Sequence, residues 1–105
     1  MKAIIVYYNP EERTEIINGI YNNISYDKAV SEVGRDNILA YIPLKVSGKT
    51  YAERVADLDD KAIQTHYAFS IACWSYGELA EIQSFFEKQG RRYGLTKEFR
   101  ENGII

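Results

Sequence analysis

The sequence of 105 residues has one cysteine, one histidine and two prolines, and these scarcities exclude several classes of protein. A single cysteine, Cys73, cannot form an internal disulfide, so a small disulfide-stabilised secreted scaffold is excluded. Cys73 and the lone His66 would need two carboxylates from elsewhere to complete a zinc site. The sequence therefore predicts no metal site and no cofactor.

Long apolar runs and an excess of one charge are also missing. The longest apolar run, residues 3–8, is far too short for a signal peptide or a membrane span, so we expect the cytoplasm and no membrane partner. Thirteen basic and fifteen acidic residues leave a net charge of −2. Any contact with nucleic acid would therefore require a local patch, because no overall field attracts the chain to phosphates.

Two motifs resemble catalytic ones, and neither predicts an enzyme. His66 and Cys73 are seven residues apart, which is about 10 Å along a helix and opposite faces of a strand, so thiol and imidazole cannot meet. The segment 47–50 reads SGKT, like the end of a phosphate-binding loop, but Pro43 stands where the first glycine belongs. The sequence favours a plain capped turn there and no catalytic residues.

What remains predicts one compact, mostly helical α+β domain spanning residues 1–105, with a small sheet of two or three short strands. Lys2–Tyr8 is rich in β-branched and aromatic residues and is predicted to be a strand buried on both faces. Residues 37–46 are a second strand candidate. Pro43 has no N–H to donate, so this strand should lie at a sheet edge or be broken there.

Helix signals mark the first half of the chain at two places. Asn9 as a cap, Pro10 at the first helical position and a stripe containing Ile16, Ile20 and Ile24 predict a helix from residue 9 to residue 24. Ser25 is predicted to cap a second, short helix that Gly34 ends.

A third helix is predicted to begin at Tyr51, because Thr50 and Glu53 form a capping box. Apolar residues three and four apart continue past residue 72 and favour one long helix, although residues 66–73 also alternate as a strand would. A second capping box, Ser75 with Glu78, begins another helix, which Gly90 is predicted to end. Thr96 is predicted to cap a last short helix that Gly103 terminates.

Two charged clusters are the candidate partner-binding residues. The basic cluster mixes cations with an aromatic ring, a combination that suits phosphate and base contacts, and consists of Lys88, Arg91, Arg92, Tyr93, Lys97 and Arg100. The simpler interpretation is that these cations complement a helix C-terminus and pair with Glu87, Glu98 and Glu101. The acidic cluster could bind a cation or imitate phosphate, or could form a solvated helix face, and consists of Glu53, Asp57, Asp59 and Asp60.

The C-terminal third also carries a resemblance. The segments YGELAEIQ at 76–83, GRRYGL at 90–95 and EFRENGI at 98–104 resemble the C-terminal end of small accessory proteins of integrative and conjugative elements and phages of Gram-positive bacteria. The resemblance implies a setting of mobile DNA, where many small proteins inhibit host defences, anti-CRISPR proteins among them. It implies no reaction.

We therefore expect a non-enzymatic binding protein of a mobile genetic element that occludes a host or element nucleoprotein, as an anti-defence inhibitor of the anti-CRISPR kind does. The nine tyrosines are consistent with an interface, since Tyr is enriched there. The alternative is a nucleic-acid-binding accessory factor for element transfer. A weaker alternative is a small-ligand-binding or enzymatic domain.

Overall fold

A computed structural model describes the whole chain, Met1–Ile105. Three strands and four helices follow one another as β1 (Lys2–Tyr8), β2 (Ile16–Asn22), α1 (Tyr26–Val33), β3 (Ile38–Pro43), α2 (Tyr51–Ile71), α3 (Tyr76–Tyr93) and α4 (Thr96–Glu101). This is the predicted α+β class, with more residues in helices than in strands. The residues group into two compact units: a sheet unit, Met1–Lys45 with Ala68–Trp74, and a helical unit, Val46–Tyr67 with Ser75–Ile105.

The sheet has the strand order β2-β1-β3, and β1 pairs antiparallel with both neighbours. As predicted, β1 is buried on both faces: residues 3–6 are at most 3% exposed. The prediction for Pro43 is also confirmed, because it ends β3, which lies at the edge of the sheet. A central strand needs apolar side chains on both faces, and residues 3–6 supply them.

The predicted helix over residues 9–24 is wrong, because this segment forms a loop and then strand β2. The Asn9 side chain accepts a hydrogen bond from the Glu11 N–H at 3.0 Å, as in an Asx-turn, and the Asn9 N–H donates to the Glu15 carbonyl at 2.9 Å. These bonds turn the chain back onto β1, where Ile20 pairs with Ile4. The isoleucines that suggest a helical stripe are β-branched, and β-branched residues are also enriched in strands.

Helix α1 is as predicted. The Ser25 hydroxyl accepts from the Lys28 N–H at 3.2 Å, and Gly34 follows the helix with φ of 88°, where other residues would be strained. Ala29 of α1 is buried against Ala3 and Ile5 of β1. Helix α1 therefore covers one face of the sheet.

Helix α2 confirms the helical interpretation of residues 66–71 and excludes a strand there. Its start is the predicted capping box: the Thr50 hydroxyl accepts from the Glu53 N–H at 3.1 Å, and the Glu53 carboxylate accepts from the Thr50 N–H at 3.3 Å. The helix ends at Ile71, so the apolar spacing that continues past residue 72 belongs to two helices. No helix in this chain combines the length and the apolar character that crossing a bilayer requires.

Helix α3 begins at the predicted Ser75–Glu78 capping box, but the predicted stop at Gly90 is wrong. Gly90 is a buried residue inside the helix, and a Cβ added to it would lie 3.1 Å from Cδ2 of Phe99. The helix runs on to Tyr93, and Gly94, with φ of 74°, ends it. Gly90 is needed for close packing and not for termination.

Helix α4 begins at Thr96 itself, so the predicted Thr96 cap is wrong by one residue. The N-cap is Leu95, and no side chain caps this end. Phe99 is the buried anchor of this helix, and its ring meets Phe86 of α3 edge-on at 5.5 Å. Gly103, with φ of 76°, lies just after the Asn102 C-cap.

The different environments of Gly77 and Gly90 lead to a prediction. Gly77→Ala is expected to stabilise the protein by roughly 0.5 kcal/mol, since alanine favours helix and a Cβ there meets nothing within 4 Å. Gly90→Ala should lose that gain, because its Cβ crowds Phe99. Urea denaturation of both variants measures the difference, and equal stabilisation by the two would contradict the close α3–α4 packing.

Candidate functional site

Three cations occupy one side of α3. Lys88, Arg91 and Arg92 stand at i, i+3 and i+4, so their side chains share a face of the helix, and all three residues are exposed. The buried residues of α3 lie on the opposite side and are Ile82, Phe86, Gly90 and Tyr93. We call Lys88, Arg91 and Arg92 the basic face.

The cations of the basic face form no ion pair within the chain. Glu87, Glu98 and Glu101, which the simpler interpretation offers as counter-ions, form no ion pair with them. Arg91 and Arg92 lie in the last turn of α3, where cations complement the helix dipole. The dipole part of that interpretation therefore holds, and the salt-bridge part does not.

Tyr93 supports the basic face from the core side. It is 7% exposed, and the guanidinium carbon of Arg92 lies 5.8 Å from its ring centroid, a cation–π distance. The Tyr51 hydroxyl donates to the Tyr93 carbonyl at 3.1 Å, and the two rings are 5.6 Å apart. Tyr51 itself is 60% exposed. No sequence motif distinguishes Tyr51, so its place beside Tyr93 is known only from the fold.

The other two residues of the predicted basic cluster, Lys97 and Arg100, lie on α4. Both are exposed, while Phe99 between them is buried. They form no ion pair either. The cations of the cluster thus lie on two helices of the helical unit, three of them on α3 and two on α4.

Most of the acidic cluster is engaged within the chain. The Glu53 carboxylate accepts from the N–H groups of Lys49 and Thr50 at 2.7 and 3.3 Å. The Asp57 carboxylate accepts from the Lys61 ammonium at 2.7 Å and from the Ser47 N–H at 2.9 Å. Asp60 accepts from the Gln64 amide at 2.6 Å, whereas Asp59 has no such partner.

The same contacts explain the SGKT segment. In a phosphate-binding loop the backbone N–H groups point at phosphate oxygens. Here the N–H groups of Ser47 and Lys49 already donate to Asp57 and Glu53. The segment is the capped turn that the sequence favours.

The His66 side chain and the Cys73 backbone each make a contact, and neither contact joins these two residues. The His66 imidazole Nε2 contacts the Asn102 carbonyl. Cys73 is exposed, and its carbonyl accepts from the Asn18 amide at 2.8 Å. Nowhere do three or more His, Cys, Asp or Glu side chains converge in a way that could hold a metal ion.

Comparison with known proteins finds no protein family, no curated protein and no solved structure that matches this chain.

Proposed function

We propose that this chain is a non-enzymatic binding protein that recognises an anionic surface through the basic face of α3. The observation that carries the proposal is the arrangement of Lys88, Arg91 and Arg92: exposed, on one side of a helix, and without counter-ions. Guanidinium groups bind carboxylates and phosphates in a bidentate geometry. Because the backbone of α3 is already ordered and anchored by its buried side, only the side chains lose conformational freedom when a partner binds.

The acidic cluster is a weaker candidate for the binding surface. Glu53, Asp57 and Asp60 already accept hydrogen bonds within the chain, so part of their capacity to accept hydrogen bonds from a partner is taken. The basic face gives up only one cation–π contact, between Arg92 and Tyr93, and only if Arg92 moves. The cost of desolvation and rearrangement therefore favours the basic face.

The partner we propose is a host or element nucleoprotein, occluded by the basic face, with this chain acting in the cytoplasm as an anti-defence inhibitor of the anti-CRISPR kind. The support for this setting is the resemblance of the C-terminal third to accessory proteins of mobile elements, since that third contains the whole basic face. Covering an anionic surface is sufficient for inhibition and requires no chemistry.

A second candidate is a nucleic-acid-binding accessory factor for element transfer. Its support is the exposed Tyr51 ring, which lies 5.6 Å from the Tyr93 ring that Arg92 also approaches. An aromatic ring beside a guanidinium suits the stacking and phosphate contacts of single-stranded nucleic acid. If this candidate is correct, the affinity for nucleic acid should fall steeply as the salt concentration rises.

The test is a double variant, Arg91→Ala with Arg92→Ala. Thermal melts should change little, because exposed charges contribute only about 0–1 kcal/mol each. Capture of a partner from a Gram-positive lysate, quantified by mass spectrometry with and without nuclease, should be lost, because an interface arginine can contribute about 2 kcal/mol or more.

The matched control removes the same charge elsewhere: Arg13→Ala with Arg35→Ala, two exposed residues of the sheet unit. It should capture the partner as the unchanged protein does. Equal capture by both double variants would show that the basic face is idle. Capture that disappears with nuclease, with salt-sensitive binding to short single-stranded DNA, would select the second candidate.

A further inference from the structure

A groove in the helical unit is separate from the residues of the basic face. It lies between α2 and α4 and has a volume of about 380 Å³. Asp59, Ile63 and His66 line it from α2, and Glu98 and Phe99 line it from α4. The volume lies within the range of about 300–1,000 Å³ that is usual for binding pockets.

The floor of the groove is apolar. Phe99 and Ile104, which also lines the groove, are at most 1% exposed. Ile63, in contrast, is 70% exposed, although it belongs to a helix with a well-formed buried side. An aliphatic side chain left in water beside an apolar floor can bury its surface only when another molecule covers it.

The charges on the groove are negative and unpaired. Asp59 and Glu98 come from different helices, and neither has an ion pair or a side-chain hydrogen bond. Neighbouring carboxylates on α2 differ in this respect, since Asp57 holds Lys61 and Asp60 holds Gln64. The one imidazole in the groove, His66, is held against the Asn102 carbonyl. The groove therefore complements a cation and an aliphatic group together.

We propose that this groove binds a short segment of a partner protein that presents one arginine or lysine two positions from an aliphatic side chain. The cation meets Asp59 and Glu98, and the aliphatic group covers the exposed surface of Ile63, above the buried residues Phe99 and Ile104. The α2 lining from residue 59 to residue 66 spans about 10 Å, the length of about three extended residues. In an extended segment, side chains two positions apart point to the same side.

This proposal does not depend on the function proposed for the basic face. The basic face binds anions, and the groove binds a cation next to an apolar group. Variants of one surface should leave the other unaffected, so each proposal can fail alone.

The probe is a labelled peptide, Gly-Ser-Arg-Gly-Leu-Ser-Gly, titrated into the full chain while amide chemical shifts are recorded by NMR. Shifts should change at the groove residues. Ile63→Ser and Asp59→Asn should each weaken binding about fivefold or more, the effect of losing a contact that matters at an interface. Two control peptides, with glutamate in place of arginine or serine in place of leucine, should bind correspondingly less.

The matched control variants are Tyr76→Ser and Glu87→Gln, which remove an exposed ring and an exposed carboxylate from α3. These and the double Arg91→Ala, Arg92→Ala variant should bind the peptide normally. Thermal melts of Ile63→Ser and Asp59→Asn establish that both are folded.

Three outcomes would overturn the proposal. The first is equal binding of the serine-containing peptide, which would indicate charge attraction alone. The second is displacement of the probe by spermidine with an affinity equal to that of the peptide, which would assign the groove to a small polyamine. The third is a dimer in sedimentation experiments that Ile63→Ser dissociates, which would assign it to a second copy of this chain.

Discussion

Phe99→Ala is expected to lower the free energy of unfolding by about 3–5 kcal/mol, the range for removing a buried phenylalanine. Phe99 is 1% exposed, and its ring packs edge-on against Phe86 with an interplanar angle of 90°. It also lies against Gly90, where no side chain intervenes. Because α4 has only six residues and Phe99 is its one buried residue, the substitution removes the contact that holds α4 to α3. Urea denaturation monitored by circular dichroism measures the loss.

Phe85→Ala is the control for this prediction. Phe85 is half-buried, and its ring also meets Phe86 edge-on, at 5.1 Å. Phe85→Ala should lower the free energy of unfolding by only about 1–2 kcal/mol, because less buried apolar surface is lost. A Phe99→Ala loss no larger than that of Phe85→Ala would show that α4 is not anchored to α3 as described.

Asp57→Ala is expected to cost about 2–3 kcal/mol of stability, less than the 3–5 kcal/mol of a fully buried pair because the carboxylate is partly exposed. Lys61 is 7% exposed, and its ammonium would lose its counter-ion. The Ser47 N–H would lose its acceptor as well. Thermal and urea denaturation of the variant measure the cost.

Two further variants separate the charge effect from other causes. Adding Lys61→Met to Asp57→Ala should recover part of the loss, because no unpaired ammonium remains buried. Asp60→Ala, which removes an exposed carboxylate three residues away, should stay within about 0.5 kcal/mol of the unchanged protein. If Asp57→Ala is equally harmless, Asp57 is free to belong to a binding surface after all.

The helix starts could be predicted from the sequence because their bonds are local. The Thr50–Glu53 and Ser75–Glu78 capping boxes each join residues three apart, and both are present. Ser25 caps α1 over the same distance. Such contacts require only the first turn of the helix, so the surrounding fold has little influence on them.

Two of the failed predictions were decided by residues in other elements of the fold. Residues 16–22 have side chains suited to helix or strand, and pairing with β1 decides for the strand. Gly90 would suit a helix end by its type alone, yet the ring of Phe99 packs against it and the helix continues to Tyr93. Neither outcome follows from the local sequence, since in each case the deciding residue belongs to another element.

The same division applies to the candidate surfaces. The sequence alone determined that Lys88, Arg91 and Arg92 are close together along the chain, but it predicted a helix end at Gly90. The three cations share a helical face only because α3 continues to Tyr93. Only the tertiary structure decided that these cations have no counter-ions, that Lys61 is buried beside Asp57, and that Asp59 and Glu98 line one groove. Charge pairing and burial depend on which elements pack together, and that packing is a property of the whole fold.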